Sequence, residues 1–263
     1  ALTAEAAWSL VGGLAAALVA FSSPLLGALA DGAGVKKRFL MLYCAVGVVA
    51  TLGLWLALPW WAVALLILVG TVGFEGGNVF YNAFLPDIAE VREQDQVSAA
   101  GYAFGYIGGV LVLIATLAFF VPPRGDVHHA FLLVGAWWGG FALLTFALLR
   151  ERQALRPRPA GLGPLRAAWR ELRATVGHVA RARQAALFLL AFLFYNDGIA
   201  TLISNATPYA LQNIYLDRTL TRHITLNELI PAIILIQVIA FPGSIFCGWL
   251  AGKIGEKRTL YFT

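Results

Sequence analysis

Charged side chains are scarce in this chain. Of its 263 residues, 13% are charged and 60% are hydrophobic, and the mean hydropathy is +0.76. A soluble domain needs a charged surface to stay in solution, so this composition argues against an ordinary soluble fold. The apolar majority instead favours a lipid bilayer as its solvent. We therefore do not read the net charge of +5 as a nucleic-acid footprint, since the basic residues stand between apolar runs.

The sequence is also poor in the residues and motifs of catalytic and metal centres. Its two cysteines, Cys44 and Cys247, each lie inside an apolar run, which argues against a disulfide framework or a metal site. GxSxG, HExxH, P-loop and CxxC patterns are absent, so we expect no catalytic residues, no metal and no cofactor. Met41 is the only methionine, and the first apolar run carries Glu5 in place of a basic leader. We therefore expect an internal segment of a longer protein and no signal peptide.

What the sequence does have is long hydrophobic runs. Each is long enough to cross a bilayer as a helix, and helices are required there because hydrocarbon offers the backbone no hydrogen-bond partners. An eighth run begins near Thr259. The predicted fold is therefore an all-α membrane protein, with spans at 7–30, 38–57, 61–85, 98–121, 130–149, 185–206 and 228–250.

Basic residues predict which way the helices cross. All but three of the 19 lysines and arginines fall on one side of the alternating spans; the exceptions are Arg124, Arg218 and Arg222. The positive-inside rule makes the basic side cytoplasmic. We therefore expect a multi-pass protein of the cell's inner (plasma) membrane, with a lipid bilayer as its surroundings and no nucleic-acid partner.

One linker divides the chain. We predict a first helical bundle over 1–149, a cytoplasmic basic linker over 150–184, and the start of a second bundle over 185–263. The later part of the linker has apolar residues at helical spacing and could lie on the inner leaflet, held by anionic lipid. A solvated tether between two bundles is the alternative. The residues with this spacing are Leu165, Trp169, Leu172 and Val176.

Two carboxylates stand apart from the other acidic residues. Of the 14, only Glu75 and Asp197 lie well inside apolar runs. At 1.5 Å per residue, they lie roughly 15 Å and 18 Å from the cytoplasmic ends of their spans. A charge at that depth costs several kcal/mol unless it faces a polar cavity, has a partner or binds a proton.

Polar residues accompany each acid at helical spacing. Glu75 shares a predicted helix face with Asn78 and Asn82, and Asp197 has Asn196 beside it and Thr201 one turn on. We predict that these six residues form a substrate- and proton-binding site. The alternative is a structural hydrogen-bond network between helices.

No lysine or arginine lies inside the predicted spans, since Arg38 stands at the first position of its span. A site for a phosphate or a dicarboxylate would need a cation, so these solutes are disfavoured. Carboxyls without a basic partner could exchange protons near neutral pH or bind an ammonium group.

Glycines also recur at helical spacing. Gly101 and Gly105 form a GxxxG pattern, and Gly109 continues it. Because glycine lets two helix backbones approach closely, we expect these three residues to pack helices together.

Two loops between spans share a pattern of two glycines seven residues apart followed by basic residues. The first resembles the signature loop of the major facilitator superfamily, and the second resembles its degenerate repeat. This resemblance implies a two-bundle helical transporter, of which the chain would contain helices two to eight and the start of nine. It also implies a cytoplasmic gate motif, which here comprises Gly27, Asp31, Gly34, Lys36, Lys37, Asp87, Gly248, Gly255, Lys257 and Arg258. The sequence departs from the superfamily pattern at Gly32 and Gly252, where a basic residue and an aspartate usually stand.

Four further segments resemble the vacuole-effluxer branch of that superfamily, namely FEGGNVFYNAFLPDIA, SAAGYAFGYIGG, FLFYNDGIATLIS and FPGSIFCGWLAGKIGEKR. The resemblance implies a secondary active transporter working by alternating access. We expect a monomer that moves a small solute, with an amino acid or another amine-bearing molecule favoured, by proton-coupled efflux. A channel, a membrane-embedded enzyme and a membrane scaffold or signalling protein are the alternatives.

Overall fold

A computed structural model describes residues 4–33, 35–120, 126, 128–150, 163–214 and 223–261. Nearly all of this part of the chain is helical. The helices are α1 (Ala4–Ala33), α2 (Lys36–Gly53), α3 (Trp60–Asn82), α4 (Leu85–Ile88), α5 (Gln94–Phe119), α6 (His128–Leu148), α7 (Pro164–Arg181), α8 (Arg183–Asn213), α9 (Leu226–Ile254) and α10 (Glu256–Thr259). This architecture confirms the all-α membrane fold predicted from the hydrophobic runs.

Six of the described helices are long and apolar enough to cross a membrane: α1, α3, α5, α6, α8 and α9. The predicted span at 38–57 corresponds to α2, which has only 18 residues and begins with Lys36, Lys37 and Arg38. The prediction for this span was too long, because α2 ends at Gly53 and Pro59 caps the next helix. The predicted start of an eighth span corresponds to the four-residue α10.

The chain divides into two compact units. One comprises residues 1–169 and 238–263, and the other comprises 170–237. The second part of α9 clusters with the first unit because it packs on α5, where the Ser244 hydroxyl donates a 2.8 Å hydrogen bond to the Ala99 carbonyl. These units differ from the predicted bundles, whose boundaries stay a prediction.

Within the first unit, α2 packs against α3 and α6, and α1 packs against α3. Small residues allow the closest approach. A side chain at Gly73 of α3 would lie 2.6 Å from the Cα of Gly47 and 2.9 Å from the Tyr43 carbonyl oxygen. The two helices therefore meet backbone to backbone at this crossing, and only glycine fits there.

The best-packed core of the first unit lies near the end where α1 meets α2 and α3 meets α4. Ala30, Leu40, Phe80 and Phe84 are buried together there. The Phe39 ring stacks on Phe80 with centroids 5.2 Å apart. This core fixes the loop after α1 against the end of α3.

Local capping contacts stand at the start of two of the spans. The Glu228 carboxylate accepts hydrogen bonds from the backbone N–H (2.9 Å) and the hydroxyl (2.8 Å) of Thr225, as its capping-box spacing predicts. Before α6, the exposed Asp126 carboxylate accepts a 2.9 Å bond from the backbone N–H of His128. That bond, together with the nearby His128 ring, lowers the pKa of Asp126.

Candidate functional site

Lys36, the first residue of α2, connects that helix to the end of α3. The Nζ of Lys36 lies 2.7 Å from Asp87 Oδ2, in an ion pair whose side chains are only 14% and 13% exposed. The same nitrogen is 3.5 Å from the carbonyl oxygen of Ala83, which caps α3, and 5.3 Å from the centre of the Phe84 ring. Lys36 therefore neutralises both a carboxylate and the negative end of a helix.

The neighbouring lysine reaches a different helix. Lys37 Nζ donates a 2.8 Å hydrogen bond to the carbonyl oxygen of Leu149, just beyond the end of α6. Together, Lys36 and Lys37 hold the start of α2 to the ends of α3 and α6. This geometry lies within the first unit and brings Lys36, Lys37 and Asp87 of the gate motif together.

The second copy of the gate motif packs differently. A side chain added at Gly248 would clash with the Ala99 side chain of α5, so glycine allows α9 to lie close against that helix. Gly255 has a φ of 87°, a conformation that favours glycine, and separates α9 from α10. Lys257 and Arg258 follow it on the surface.

Of three other residues assigned to the gate motif, the structure describes the surroundings of Gly27 alone. Gly27 is half-buried on α1, and an added Cβ there would meet no described atom within 4 Å. The Asp31 side chain and Gly34 lie outside the described residues. The gating role of the whole set stays a prediction.

On α3, Glu75 and Asn82 face away from the helices that pack on it. The buried face of α3 is formed by Gly73, Gly76, Gly77 and Phe80. At 100° per residue, Glu75 and Asn82 project from the opposite face, and both are exposed. Among the described residues, the Glu75 carboxylate has no hydrogen-bond or ion-pair partner. The unit thus leaves this carboxylate open to whatever lies beside α3.

The depth of Glu75 is smaller than the sequence predicts. The structure ends α3 at Asn82, where the chain turns and Pro86 enters the first turn of α4. Glu75 therefore lies seven residues, or about 10 Å, from the end of its helix, compared with the predicted 15 Å.

Asn78 lies beside a cavity of about 210 Å³ between α2, α3 and α6. The lining is mainly apolar and includes Trp138 and Phe141, and hydroxyl groups come from Tyr81 and Thr145. Glu75 and Asn82 do not line this cavity. Of the three polar residues of α3, Asn78 therefore faces the cavity, whereas Glu75 and Asn82 project from the open side of the helix.

The second acid lies at the centre of a longer helix than predicted. α8 runs to Asn213, so Asp197 stands 14 residues, or about 21 Å, from its first residue, Arg183. Asn196, Asp197 and Thr201 are all exposed. α8 is exposed along its whole apolar length. These three residues share that exposure with the rest of the helix.

The glycines expected to pack helices differ in their surroundings. A Cβ at Gly101 would lie 3.2 Å from the Tyr81 hydroxyl, whereas at Gly105 it would meet no described atom within 4 Å. Gly109 is half-buried on α5. The packing role of the three residues stays a prediction. The tight crossing that the structure does contain uses Gly47 and Gly73. Gly73 has GxxxG spacing to Gly77 within α3, whereas Gly47 has no such partner in α2.

Comparison with known proteins assigns the chain to a family. The model of the vacuole effluxer Atg22-like family matches residues 3–92 and 87–263, which together cover almost the entire chain. The chain belongs to this family. Its resemblance to the vacuole-effluxer branch of the major facilitator superfamily is thereby confirmed.

Named relatives of this vacuole effluxer family member occur in bacteria and fungi. An uncharacterized MFS-type transporter, YxiO of Bacillus subtilis, is 30% identical over 93% of this chain and 57% of its own length. Autophagy-related protein 22 of Eremothecium gossypii is 25% identical over 76% of this chain and 44% of its own. Autophagy-related protein 22-1 of Penicillium rubens is 29% identical over 46% and 22% respectively. The chain thus spans about half the length of the bacterial relative and less of the fungal ones. No solved structure matches the chain significantly.

Proposed function

We propose that the full protein is a secondary active transporter that moves a small solute across its membrane by alternating access. The observation that carries the proposal is the family match over nearly the whole chain. The bacterial relative is named as an MFS-type transporter. The six membrane-spanning helices support the same class of protein.

The chemistry of the spans supports proton coupling. Glu75 and Asp197 are carboxyls within membrane helices, and neither has a cation within hydrogen-bonding range among the described residues. A carboxyl in such surroundings is stabilised by taking up a proton, and it can release that proton when its exposure to water changes. In the proposal, both acids bind protons or a solute ammonium group, assisted by Asn78, Asn82, Asn196 and Thr201.

A solute with an amine suits an anionic site, so an amino acid or a similar molecule is the proposed substrate. Efflux is proposed by analogy with the family name alone. In the same proposal, the protein acts as a monomer in the inner (plasma) membrane, with Lys36, Lys37 and the other basic residues in the cytoplasm. The Lys36–Asp87 pair would hold the first bundle together on that side while the bundles move.

Ligand binding provides the first test. We would screen the full-length protein for thermal stabilisation by amino acids, polyamines, sugars and dicarboxylates at pH 6 and pH 8. A solute that binds the folded state raises its melting temperature, by an amount that grows with concentration. The proposal expects an amine-bearing solute to stabilise the protein in a pH-dependent way. It is contradicted if only sugars or dicarboxylates do so.

Transport provides the second test. Proteoliposomes with the full-length protein are loaded with the stabilising solute, and exchange of labelled solute is measured. A carrier exchanges solute one molecule at a time, whereas a channel passes it as a conductance. Wild-type exchange that is abolished in Asp197→Asn but kept in the loop variant Glu90→Gln supports the proposal, and a single-channel current would contradict it.

A further inference from the structure

Helix α7 (Pro164–Arg181) has two chemically different faces. At 100° per residue, its apolar residues fall within about a quarter of the circumference. They are Trp169, Leu172, Val176 and Val179. The adjoining strip is basic and contains Arg166, Arg170, Arg173 and Arg181. Glu171 is the only acidic residue of the helix.

The apolar face is only partly covered within the described part of the chain: Leu172 and Val179 are half-buried, and the neighbouring Ala168 is buried. Trp169 and Val176 are both 59% exposed. Residues of this size on a water-soluble helix would normally be packed against a core, and large apolar side chains left open on one helix face mark an interaction surface. The row of arginines beside it makes a negatively charged partner the best match.

The connection to α8 fixes where this surface must lie. Only Ala182 separates α7 from α8, and it leaves the helical conformation with φ −85° and ψ 82°. Its N–H donates to the His178 carbonyl and its carbonyl accepts from Ala186, at 3.1 Å and 2.9 Å. α8 is long and apolar enough to span the membrane. The last turn of α7, which directly precedes α8, therefore lies at the surface where that span enters the bilayer.

We propose that α7 binds the cytoplasmic membrane surface, with its apolar strip in the interface and its arginines on the headgroups of anionic lipids. A tryptophan and several aliphatic side chains enter the headgroup region favourably, and each nearby arginine adds electrostatic attraction to an anionic leaflet. The lipid would thereby fix the linker between the two sets of spans.

The test uses the full-length protein with its native cysteines replaced. An environment-sensitive fluorophore is attached at Val176→Cys, on the apolar strip, or at Ala174→Cys, which projects from the opposite side of the same helix. Both residues are exposed, so both labels should be tolerated, and size-exclusion chromatography checks folding. The proteins are placed in nanodiscs of phosphatidylcholine alone or with about one third phosphatidylglycerol.

With phosphatidylglycerol, we expect a blue-shifted emission at position 176 and quenching by brominated lipid at least about threefold stronger than at position 174. Replacing Arg170 and Arg173 with glutamine should remove most of that difference. The same change at Arg38 and Arg92, which are also exposed and basic, should leave it unaltered.

Three results would overturn the proposal. Equal, water-like signals at both positions would make α7 a solvated tether. A label at position 176 that is shielded from water yet untouched by brominated lipid would mean that protein covers the strip. Insertion that is the same without phosphatidylglycerol or without the two arginines would remove the role of anionic lipid.

Discussion

At the scale of single residues, Lys36 makes several contacts that a substitution would remove. It serves Asp87, the end of α3 and the Phe84 ring at once, and its side chain is largely buried. We predict that Lys36→Met lowers the free energy of unfolding by about 3 kcal/mol, because the Asp87 carboxylate is left buried without its partner.

Arg38 provides the matched control for that variant. It belongs to the same basic cluster, but its side chain is exposed. Arg38→Met should change the stability of the detergent-solubilised protein by no more than about 0.5 kcal/mol. Thermal unfolding of the two variants side by side measures the difference, and equal melting temperatures would rule out a structural role for the Lys36–Asp87 pair.

At the scale of helices, the crossing of α2 and α3 depends on Gly73. We predict that Gly73→Ala destabilises the protein by about 1–3 kcal/mol, because the new methyl group would meet the backbone of Gly47 rather than a movable side chain. Gly105→Ala should be neutral or stabilising by up to about 1 kcal/mol, since it adds helix propensity in open space. The melting temperatures of the two variants, measured by thermal unfolding, test both expectations. If both substitutions have the same effect, the tight crossing is not a feature of the protein in its membrane.

How far sequence reasoning succeeds differs from element to element. The apolar runs predict the spans because hydrocarbon admits only one way to satisfy the backbone. The Thr225–Glu228 cap is visible in the sequence because its partners are only three residues apart. The crossing at Gly47 and Gly73 was missed although Gly73 and Gly77 have GxxxG spacing, because several glycine pairs in the chain share that spacing and only the packing of one helix on another shows which of them matters. The end of α3 was placed too late because an apolar run continues through the turn before α4.

In the candidate site too, the sequence predicts which residues share a helix face but not which helix packs against that face. Helical spacing places Glu75 and Asn82 on one face of α3, and the structure keeps them there. Spacing could not indicate that Asn78 lines a cavity toward α6, since that depends on the packing of residues far along the chain, such as Trp138 and Phe141. Lys36 and Asp87 are also 51 residues apart, and only the family resemblance associated them before the structure did.

At the scale of the whole molecule, the orientation of the spans can be measured. Arg38 and Asp126 lie in exposed positions at opposite ends of the first unit's helices. In sealed inverted vesicles, which present the cytoplasmic face, we predict that a membrane-impermeant maleimide labels Arg38→Cys and spares Asp126→Cys. Right-side-out vesicles should give the reverse. Labelling of both from one side would contradict the predicted topology.

The central claim is that Glu75 carries a proton during transport. The most direct measurement is solute accumulation driven by a pH gradient in proteoliposomes of full-length Glu75→Gln protein, compared with wild type and with Glu90→Gln, an exposed loop carboxylate changed in the same way. An amide cannot release a proton, so the account predicts that Glu75→Gln loses gradient-driven accumulation but still exchanges solute across the membrane, while Glu90→Gln behaves as wild type. Full gradient-driven accumulation by Glu75→Gln would contradict it.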